Sequence, residues 1–351
     1  MPDSPAVRVR PAVDSDRASW DDFALRRCNG VLLGTWGWGE LKRRQGWYID
    51  RLVAERDGAI AGVLHIQRKR GRGGVGFAYA PRSPVVPGPS EGAEAAVALL
   101  RAARQLARRG GCLVLKADPE WHENDPVARA VFDSIGAHDS WYDVQHRKTY
   151  IVDLSGGADA VMSRLKESTR RNIRLAERRG VEVEVRTDPA AAQEFWPLLA
   201  DTGERAGFVP RHAPYYAEIV EEIGLSCPVA VMLARGDGEL LAGLIAVAAG
   251  PRLVYLYGGN RTQRRLHAPY AAQWRAIEWG LEQGCTFYDM WGVPNHEDPA
   301  VPGYGYYEFK TRFNGRVERH IRCQDVRLWP GAGPLPSLLE RVALRGRPVL
   351  T

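Results

Sequence analysis

An internal repeat is the feature of this sequence that most constrains its fold. Two pairs of segments match, residues 53–64 with 232–245 and residues 103–119 with 277–292. Asp57 and Asp237 hold the same place in the first pair, and Cys112 and Cys285 in the second. A hairpin, a strand, a helix and a strand thus recur in one order at a nearly constant offset, as a tandem duplication predicts.

The length of the chain allows two domains, since it has 351 residues, 45% of them hydrophobic. We expect domain 1 over residues 1–154, with residues 325–351 packing back on it. Domain 2 is expected over residues 155–324.

Charge and cysteine usage narrow the class of protein. The formal net charge of +6 is compatible with a polyanionic partner and does not require one. The five cysteines form no CxxC pair and no metal-like spacing, which predicts reduced thiols and no metal site. No uninterrupted apolar stretch approaches 18 residues, so we expect a soluble, cytoplasmic protein that can still touch a membrane surface.

The repeated order of elements resembles the acetyltransferase fold of the GNAT superfamily. The resemblance implies an α/β fold class with mixed sheets, in two tandem GNAT-like domains. Ordinary members hold acyl-CoA pyrophosphate on backbone N–H groups of a glycine-rich loop at a helix start. The matching stretches here, residues 80–90 and 260–271, lack that glycine pattern, and Pro269 has no N–H. We therefore expect no conventional CoA site and no other cofactor.

Residues 284–315 read GCTFYDMWGVPNHEDPAVPGYGYYEFKTRFNG. The pattern predicts a strand from Cys285 to Met290, a Gly/Pro loop and a Tyr-rich segment that carries Phe309 and Lys310. So many aromatic residues around one lysine favour an active-site wall. A strand, loop and strand packed in a core explains the same letters, and both interpretations stay open here.

Two further patterns are candidates for binding or catalysis. Thr35 is positioned to cap a helix that carries Trp38 and Lys42, and Asp118 ends a buried strand. Lys42 is also compatible with a solvated helix face, and Asp118 with a turn before a proline.

Three other stretches carry clustered cations or alternating aromatic rings. A single helix is predicted over residues 158–179, whose many cations suit a phosphate contact or a solvated face. The basic stretch at residues 68–74 reads more simply as a solvated turn. Tyr255 and Tyr257 alternate along a strand, so we expect them on one face.

A doubled GNAT-like chain with these motifs resembles the FemABX family. Members of that family are non-ribosomal peptidyl transferases that move amino acids from aminoacyl-tRNA to the peptide stem of peptidoglycan precursors. Six pieces occur in the family's order: WGELK at 38–42, LKADP at 115–119, RLKESTRRNIR at 164–174, YLYGG at 255–259, YDMWG at 288–292 and YEFKTRF at 307–313. No heptad-rich insertion is present, so the chain resembles the compact, FemX-like type.

The resemblance implies roles for individual residues. Lys42 and Arg211, the latter rather than Arg205, correspond to cations that grip the diphosphate of a UDP-linked muropeptide. Phe309 and Lys310 correspond to residues that receive the 3′ end of the tRNA, and Asp118 to a general base or an amine-positioning acid. The substrate cleft is implied to include Trp38, Tyr215, Tyr216, Tyr255 and Tyr257, and the tRNA contact Lys166, Arg170, Arg171 and Arg174.

The resemblance thus implies an aminoacyltransferase that builds the interpeptide bridge of the cell wall without a metal. Its partners are aminoacyl-tRNA and UDP-MurNAc-pentapeptide or lipid II, and we expect a monomer. Keeping both Lys42 and Arg211 favours the soluble acceptor. Two alternatives stay open: a GNAT-like N-acyltransferase that uses acyl-CoA or another acyl donor, and a non-catalytic protein that binds RNA or cell-wall precursors.

Overall fold

The structure is a computed structural model that describes residues 6–70, 76–261, 266–294, 304–329 and 338–340. It divides into two compact units. Unit 1 comprises residues 1–147 and 319–351, and unit 2 comprises residues 148–318.

The elements of both units follow one order along the chain. Unit 1 contains β1 (Arg8–Pro11), α1 (Arg17–Asp22), α2 (Trp36–Arg44), β2 (Tyr48–Arg56), β3 (Ala59–Arg70), β4 (Gly76–Ala80), α3 (Pro89–Arg109), β5 (Cys112–Ala117), α4 (Pro126–Asp133) and β6 (Ala137–Asp139). Unit 2 contains β7 (Lys148–Asp153), α5 (Gly157–Arg164), α6 (Glu167–Arg178), β8 (Glu182–Arg186), α7 (Pro189–Ala206), α8 (Ala213–Gly224), β9 (Val229–Gly236), β10 (Glu239–Ala249), β11 (Arg252–Asn260), α9 (Ala268–Glu282), β12 (Phe287–Val293), α10 (Tyr304–Thr311) and β13 (Arg316–Arg319). The chain then returns to unit 1 with β14 (Gln324–Arg327).

Each unit is built on a seven-stranded sheet. The strand orders are β1-β2-β3-β4-β5-β14-β6 and β8-β9-β10-β11-β12-β7-β13. In each sheet the fourth and fifth strands are parallel, whereas the first three strands pair antiparallel. The two sheets therefore have the same order and mixed directions, which confirms the predicted α/β fold in two tandem GNAT-like copies.

The two copies exchange their last strands. Strand β7 follows the first copy in sequence but pairs with β12 of unit 2. Strand β14 follows the second copy but pairs with β5 and β6 of unit 1. The chain consequently divides after residues 147 and 318 rather than after the expected residues 154 and 324, because strand pairing assigns each strand to its sheet.

Local turn and cap chemistry formed as predicted. Both hairpins turn through Asp-Gly pairs with positive φ, 53° and 77° at Asp57 and Gly58 and 53° and 76° at Asp237 and Gly238. At the start of α2, the Thr35 side chain accepts a hydrogen bond from the backbone N–H of Trp38.

The single helix predicted over residues 158–179 is wrong, because the chain forms α5 and α6 with a break between them. Leu165 is extended, with φ −60° and ψ 151°. Beyond the break, the guanidinium of Arg170 donates to the carbonyls of Ser163 and Leu165, which stabilises the exposed end of α5.

Each sheet packs a helix of its own copy against one face. Leu64 and Ile66 of β3 lie in one buried cluster with Leu99 of α3, and Leu244 of β10 lies in another with Ala272 of α9. In the described part of the chain, no helix is both long and apolar enough to cross a membrane.

Candidate active site

The sheet of unit 2 opens between its two parallel strands. Strands β11 and β12 pair only from Arg252↔Phe287 to Val254↔Asp289. Beyond that pair, β11 runs on to Asn260 and β12 to Val293. The register of β12 also shifts between Asp289 and Gly292. The strands therefore leave an opening at their carboxyl ends.

Lys310 bridges this opening. It lies on α10, is only 6% exposed, and donates from Nζ to the carbonyl of Gly292 on β12 at 2.7 Å. The same Nζ lies 5.8 Å from the ring centre of Tyr255 on β11 and 5.1 Å from that of Tyr306. The lysine of the predicted active-site wall is thus buried between the two diverging strands.

Burial gives Lys310 an unusual pKa. Loss of solvent lowers the pKa of its ammonium to about 7, while the nearby carboxylate of Asp289 acts in the opposite direction. Asp289 is buried and accepts hydrogen bonds from Thr149 Oγ1 and from the backbone N–H of Trp291. Charged and neutral forms of Lys310 are therefore both populated near neutral pH.

Phe309 lies beside Lys310 and is half-buried. Its ring contacts Tyr270 edge-on at 5.2 Å between centres, and Phe313 at 5.5 Å. The structure thus places the predicted pair, Phe309 and Lys310, on one helix. The loop predicted before this helix, residues 295–303, lies outside the described residues.

The expectation that Tyr255 and Tyr257 share a face is wrong. Tyr255 pairs with Ala246 and Tyr257 with Ile245, so β11 carries one extra residue, a β-bulge, between the two tyrosines. Tyr255 packs on the core that includes α9. Tyr257 instead contacts the ring of Tyr216 on α8 at 5.1 Å.

The predicted substrate-cleft residues of α8 form a cluster of tyrosines. Tyr215 and Tyr216 are buried, and the hydroxyl of Tyr215 lies 3.4 Å from that of Tyr257. Arg211 places its guanidinium 4.9 Å from the ring centre of Tyr215. Arg205 is engaged elsewhere, since it donates to the backbone carbonyl of Asn260.

The cations predicted to contact tRNA differ in their surroundings. Lys166, Arg171 and Arg174 are exposed. Arg170 is half-buried and occupied by the carbonyls at the end of α5. Three of the four cations are therefore accessible to an anion.

In unit 1, Asp118 directly follows β5 and is 3% exposed. Its two carboxylate oxygens accept hydrogen bonds from the Tyr79 hydroxyl at 3.0 and 2.8 Å, and one also accepts from the backbone N–H of Arg82 at 2.8 Å. Burial raises the pKa of Asp118 to about 6, although Arg82 and Tyr79 act to lower it. The carboxyl is thus oriented and ionises close to neutral pH.

The residues that hold these groups were not among the site residues predicted from the sequence. Tyr79 lies in the alternating run Phe77–Ala80 at a half-buried position, a pattern common to many strands. Asp289 is an acid inside a buried strand, which is a signal the sequence does contain. Arg82 has no comparable signal, because it contributes a backbone N–H.

Lys42 and Trp38 lie together on α2 of unit 1. Lys42 is half-buried, with Nζ 4.6 Å from the ring centre of Trp38. Trp38 is 6% exposed, and its buried Nε1 has no hydrogen-bond partner among the described residues. Across those residues, no group of three or more His, Cys, Asp or Glu is placed to hold a metal ion.

Comparison with known proteins agrees with this architecture. A model of the FemAB family matches residues 16–237 and 230–322. A lipid II:glycine glycyltransferase of Staphylococcus aureus (strain MRSA252) is 24% identical over 401 residues, covering 93% of this chain and 94% of that protein.

Solved structures show the same fold. The crystal structure of FemX has a TM-score of 0.85 at 23% identity, covering 95% of this chain and 100% of that one. A tandem GNAT protein from the clavulanic acid biosynthesis pathway has a TM-score of 0.56 at 14% identity, covering 93% and 99%. Since the family model extends across both copies of the repeat, the chain belongs to the FemAB family.

Proposed function

We propose that this protein transfers an aminoacyl group from aminoacyl-tRNA to the side-chain amine of a peptidoglycan precursor. Membership of the FemAB family and the likeness to a lipid II:glycine glycyltransferase support this activity. The observation that carries the proposal is Lys310, a buried lysine at the opening between β11 and β12, with Phe309 beside it.

The reaction is an aminolysis of an ester. The neutral acceptor amine attacks the aminoacyl carbonyl and a C–N bond forms. The ester C–O bond then breaks, and the 3′-terminal ribose oxygen leaves with the proton that the attacking nitrogen gives up. After the C–N bond has formed and before the C–O bond breaks, the carbonyl oxygen carries negative charge. The ammonium form of Lys310 stabilises that charge, and the ring of Phe309 stacks on the terminal adenine.

Asp118 is proposed to serve the acceptor. A buried carboxylate above its pKa of about 6 holds the incoming ammonium and accepts one proton from it, so that the neutral amine can attack. The Tyr79 hydroxyl, whose single proton is shared between the two carboxylate oxygens, and the backbone N–H of Arg82 orient it. Direct attack by an amine needs orientation and deprotonation, and no covalent enzyme intermediate.

Recognition of the precursor is assigned to cations and rings. Lys42 and Arg211 are each proposed as a donor to phosphate, because a phosphate needs fixed cationic donors. Arg211 is preferred to Arg205, since its guanidinium has no carboxylate within ion-pair distance in the described residues, while that of Arg205 is bonded to Asn260. Trp38 and the tyrosines at 215, 216 and 257 are proposed to contact the rest of the precursor. Tyr255, which does not share a face with Tyr257, is proposed to contact substrate beside Lys310.

The partners follow from this activity. Exposed Lys166, Arg171 and Arg174 on and beside α6 are proposed to contact tRNA, with Arg170 holding the end of α5. A soluble UDP-linked acceptor fits a cytoplasmic monomer, and a lipid-linked acceptor adds a peripheral membrane contact.

One transfer assay tests the proposal. Purified protein is mixed with a pool of charged tRNAs and either UDP-linked pentapeptide or lipid II, and products are read by mass spectrometry. We expect a mass gain of one or more amino acids that disappears in Lys310→Met and persists in the exposed Lys69→Met. A gain from acyl-CoA without tRNA selects the acyltransferase alternative. No product in any pairing, despite bound RNA or precursor, contradicts an enzymatic role.

A further inference from the structure

Tyr270 lies in the first turn of α9 in unit 2, among other aromatic rings. Its half-buried ring stacks on Phe313 at 6.3 Å and an interplanar angle of 21°, and it contacts Phe309 edge-on at 5.2 Å. The ring centre of His267 lies 6.1 Å from that of Tyr270. Its hydroxyl accepts a hydrogen bond from Arg312 at 3.2 Å. Tyr270 is therefore a rigidly held aromatic ring between Phe309 and His267.

Helix α6 packs against α9 and brings cations to this place. Arg171 and Arg179 both act to lower the pKa of His267, after the larger effect of burial, so their charges reach the imidazole. Arg171, Arg174 and the exposed Arg178 are spaced three and four residues apart and share one stripe of α6.

The cations of this stripe lack carboxylate partners. In the described part of the chain, no Asp or Glu lies within ion-pair distance of Arg171, Arg174 or Arg178. Neighbouring arginines are paired, Arg312 to Glu308 at 2.6 Å and Arg275 to Glu282 at 2.8 Å. The missing counter-charge fits a ligand that carries several negative charges along its length, as a nucleic-acid strand does.

At the start of α9, side chains are better placed than backbone N–H groups to hold such an anion. Pro269 lies in the first turn and has no N–H to donate, and the helix start has no side-chain cap. A compact pyrophosphate gripped by backbone amides is disfavoured by this chemistry. A strand whose phosphates meet guanidinium groups and whose bases meet aromatic rings is favoured.

We propose that Tyr270, with His267 at its edge, is a second base-stacking position for the single-stranded 3′ end of tRNA. The terminal adenine meets Phe309, the preceding base meets Tyr270, and the phosphates continue onto Arg171, Arg174 and Arg178 of α6. This inference rests on the proposed function and assigns a path to its donor substrate.

The test is the affinity of the full chain for two RNA hairpins that mimic an acceptor stem, one with a single-stranded 3′ CCA end and one blunt. Fluorescence anisotropy measures Kd for both. Tyr270→Leu keeps an apolar side chain on Phe313 and removes the aromatic face. We expect it to bind the CCA hairpin about tenfold more weakly and the blunt hairpin as the wild type does. Tyr270→Phe, which keeps the ring, should stay within about threefold.

The cations are tested by the salt dependence of the same binding. Arg174→Gln should weaken the CCA hairpin more than the blunt one, and should reduce the slope of log K against log salt for the CCA hairpin by about 0.7. The matched control is Arg275→Gln, which removes an equal charge from an ion-paired site and should leave the slope alone.

A second measurement does not depend on how the variants fold. A CCA hairpin with 2-aminopurine at the penultimate position should lose fluorescence on binding the wild-type protein, because stacking quenches it. Unquenched fluorescence, or equal binding of the CCA hairpin by wild type and Tyr270→Leu, overturns the inference. If Lys310→Met still abolishes transfer in that case, the proposed function stands. If no transfer occurs but Tyr270→Leu still weakens binding of the CCA hairpin, the protein binds RNA without catalysing transfer.

Discussion

The same pair of parallel strands is closed in one copy of the repeat and open in the other. In unit 1, β4 and β5 pair up to Ala80↔Ala117, where β4 ends. In unit 2, β11 and β12 stop pairing at Val254↔Asp289, well before either strand ends. One fold therefore offers two different sites at the carboxyl ends of its central strands.

The difference places opposite charges at the two ends. The closed pair presents Asp118, held by Tyr79 and by a backbone N–H. The open pair admits Lys310, held by a backbone carbonyl. We infer that the first copy became suited to an amine and the second to an ester and its phosphates. Substitutions at the two sites test this division, from the largest expected effect to the smallest.

Removing the cation of the open pair should have the largest effect. Lys310→Met is expected to lower the rate of transfer by about 10²- to 10³-fold, because the developing oxyanion loses its charged donor. Circular dichroism should show an intact fold. Transfer at the wild-type rate would mean that the opening is not the site of the ester.

Removing the acid of the closed pair should have the next effect. Asp118→Asn is expected to lower kcat by about 10²-fold. Because the pKa of Asp118 is raised to about 6, wild-type activity should fall as the pH drops below 6, where the carboxyl becomes protonated. That acidic limb should be absent from the pH profile of the Asn variant, and the exposed Asp133→Asn should keep it.

The shape of the opening is tested at Gly258 on β11. A Cβ there would overlap the hydroxyl of Tyr255, whose ring faces Lys310. Gly258→Ala should displace that ring, lower transfer about tenfold and destabilise the fold by about 1–3 kcal/mol in denaturant titrations. Gly224→Ala, where a Cβ meets nothing within 4 Å, is the control and should be harmless.

The buried amine of Lys310 should destabilise the folded protein, and the midpoint of thermal unfolding should show this. Its pKa is lowered to about 7 from 10.5, so the unfolded chain binds more protons between these values and wild-type stability rises with pH across that window. Lys310→Met lacks this rise. Near pH 7 the Tm of this variant should exceed that of the wild type by a few degrees, since 1 kcal/mol corresponds to about 2–4 °C. The difference in Tm should become smaller towards pH 10. A gap that widens with pH would contradict the burial of a charged amine.

Much of the fold was predictable from the sequence because the signals are local or repeated. The two Asp-Gly hairpins and the Thr35 cap depend on residues within a few positions of one another. The duplication was visible because whole segments recur along the chain. The motif order was sufficient to predict the family. The proximity of Phe309 and Lys310 also follows from their adjacency, while their proposed roles remain predictions.

Only the tertiary structure decided the features that depend on partners distant in the chain. The exchange of β7 and β14 is set by pairing with β12 and β5. The bulge that separates Tyr255 from Tyr257 is set by the register of β10. The pKa values of Lys310 and Asp118 are set by burial among residues from other elements. Sequence alone specifies short-range φ preferences and hydrogen bonds, whereas register and desolvation arise only once distant segments have packed together.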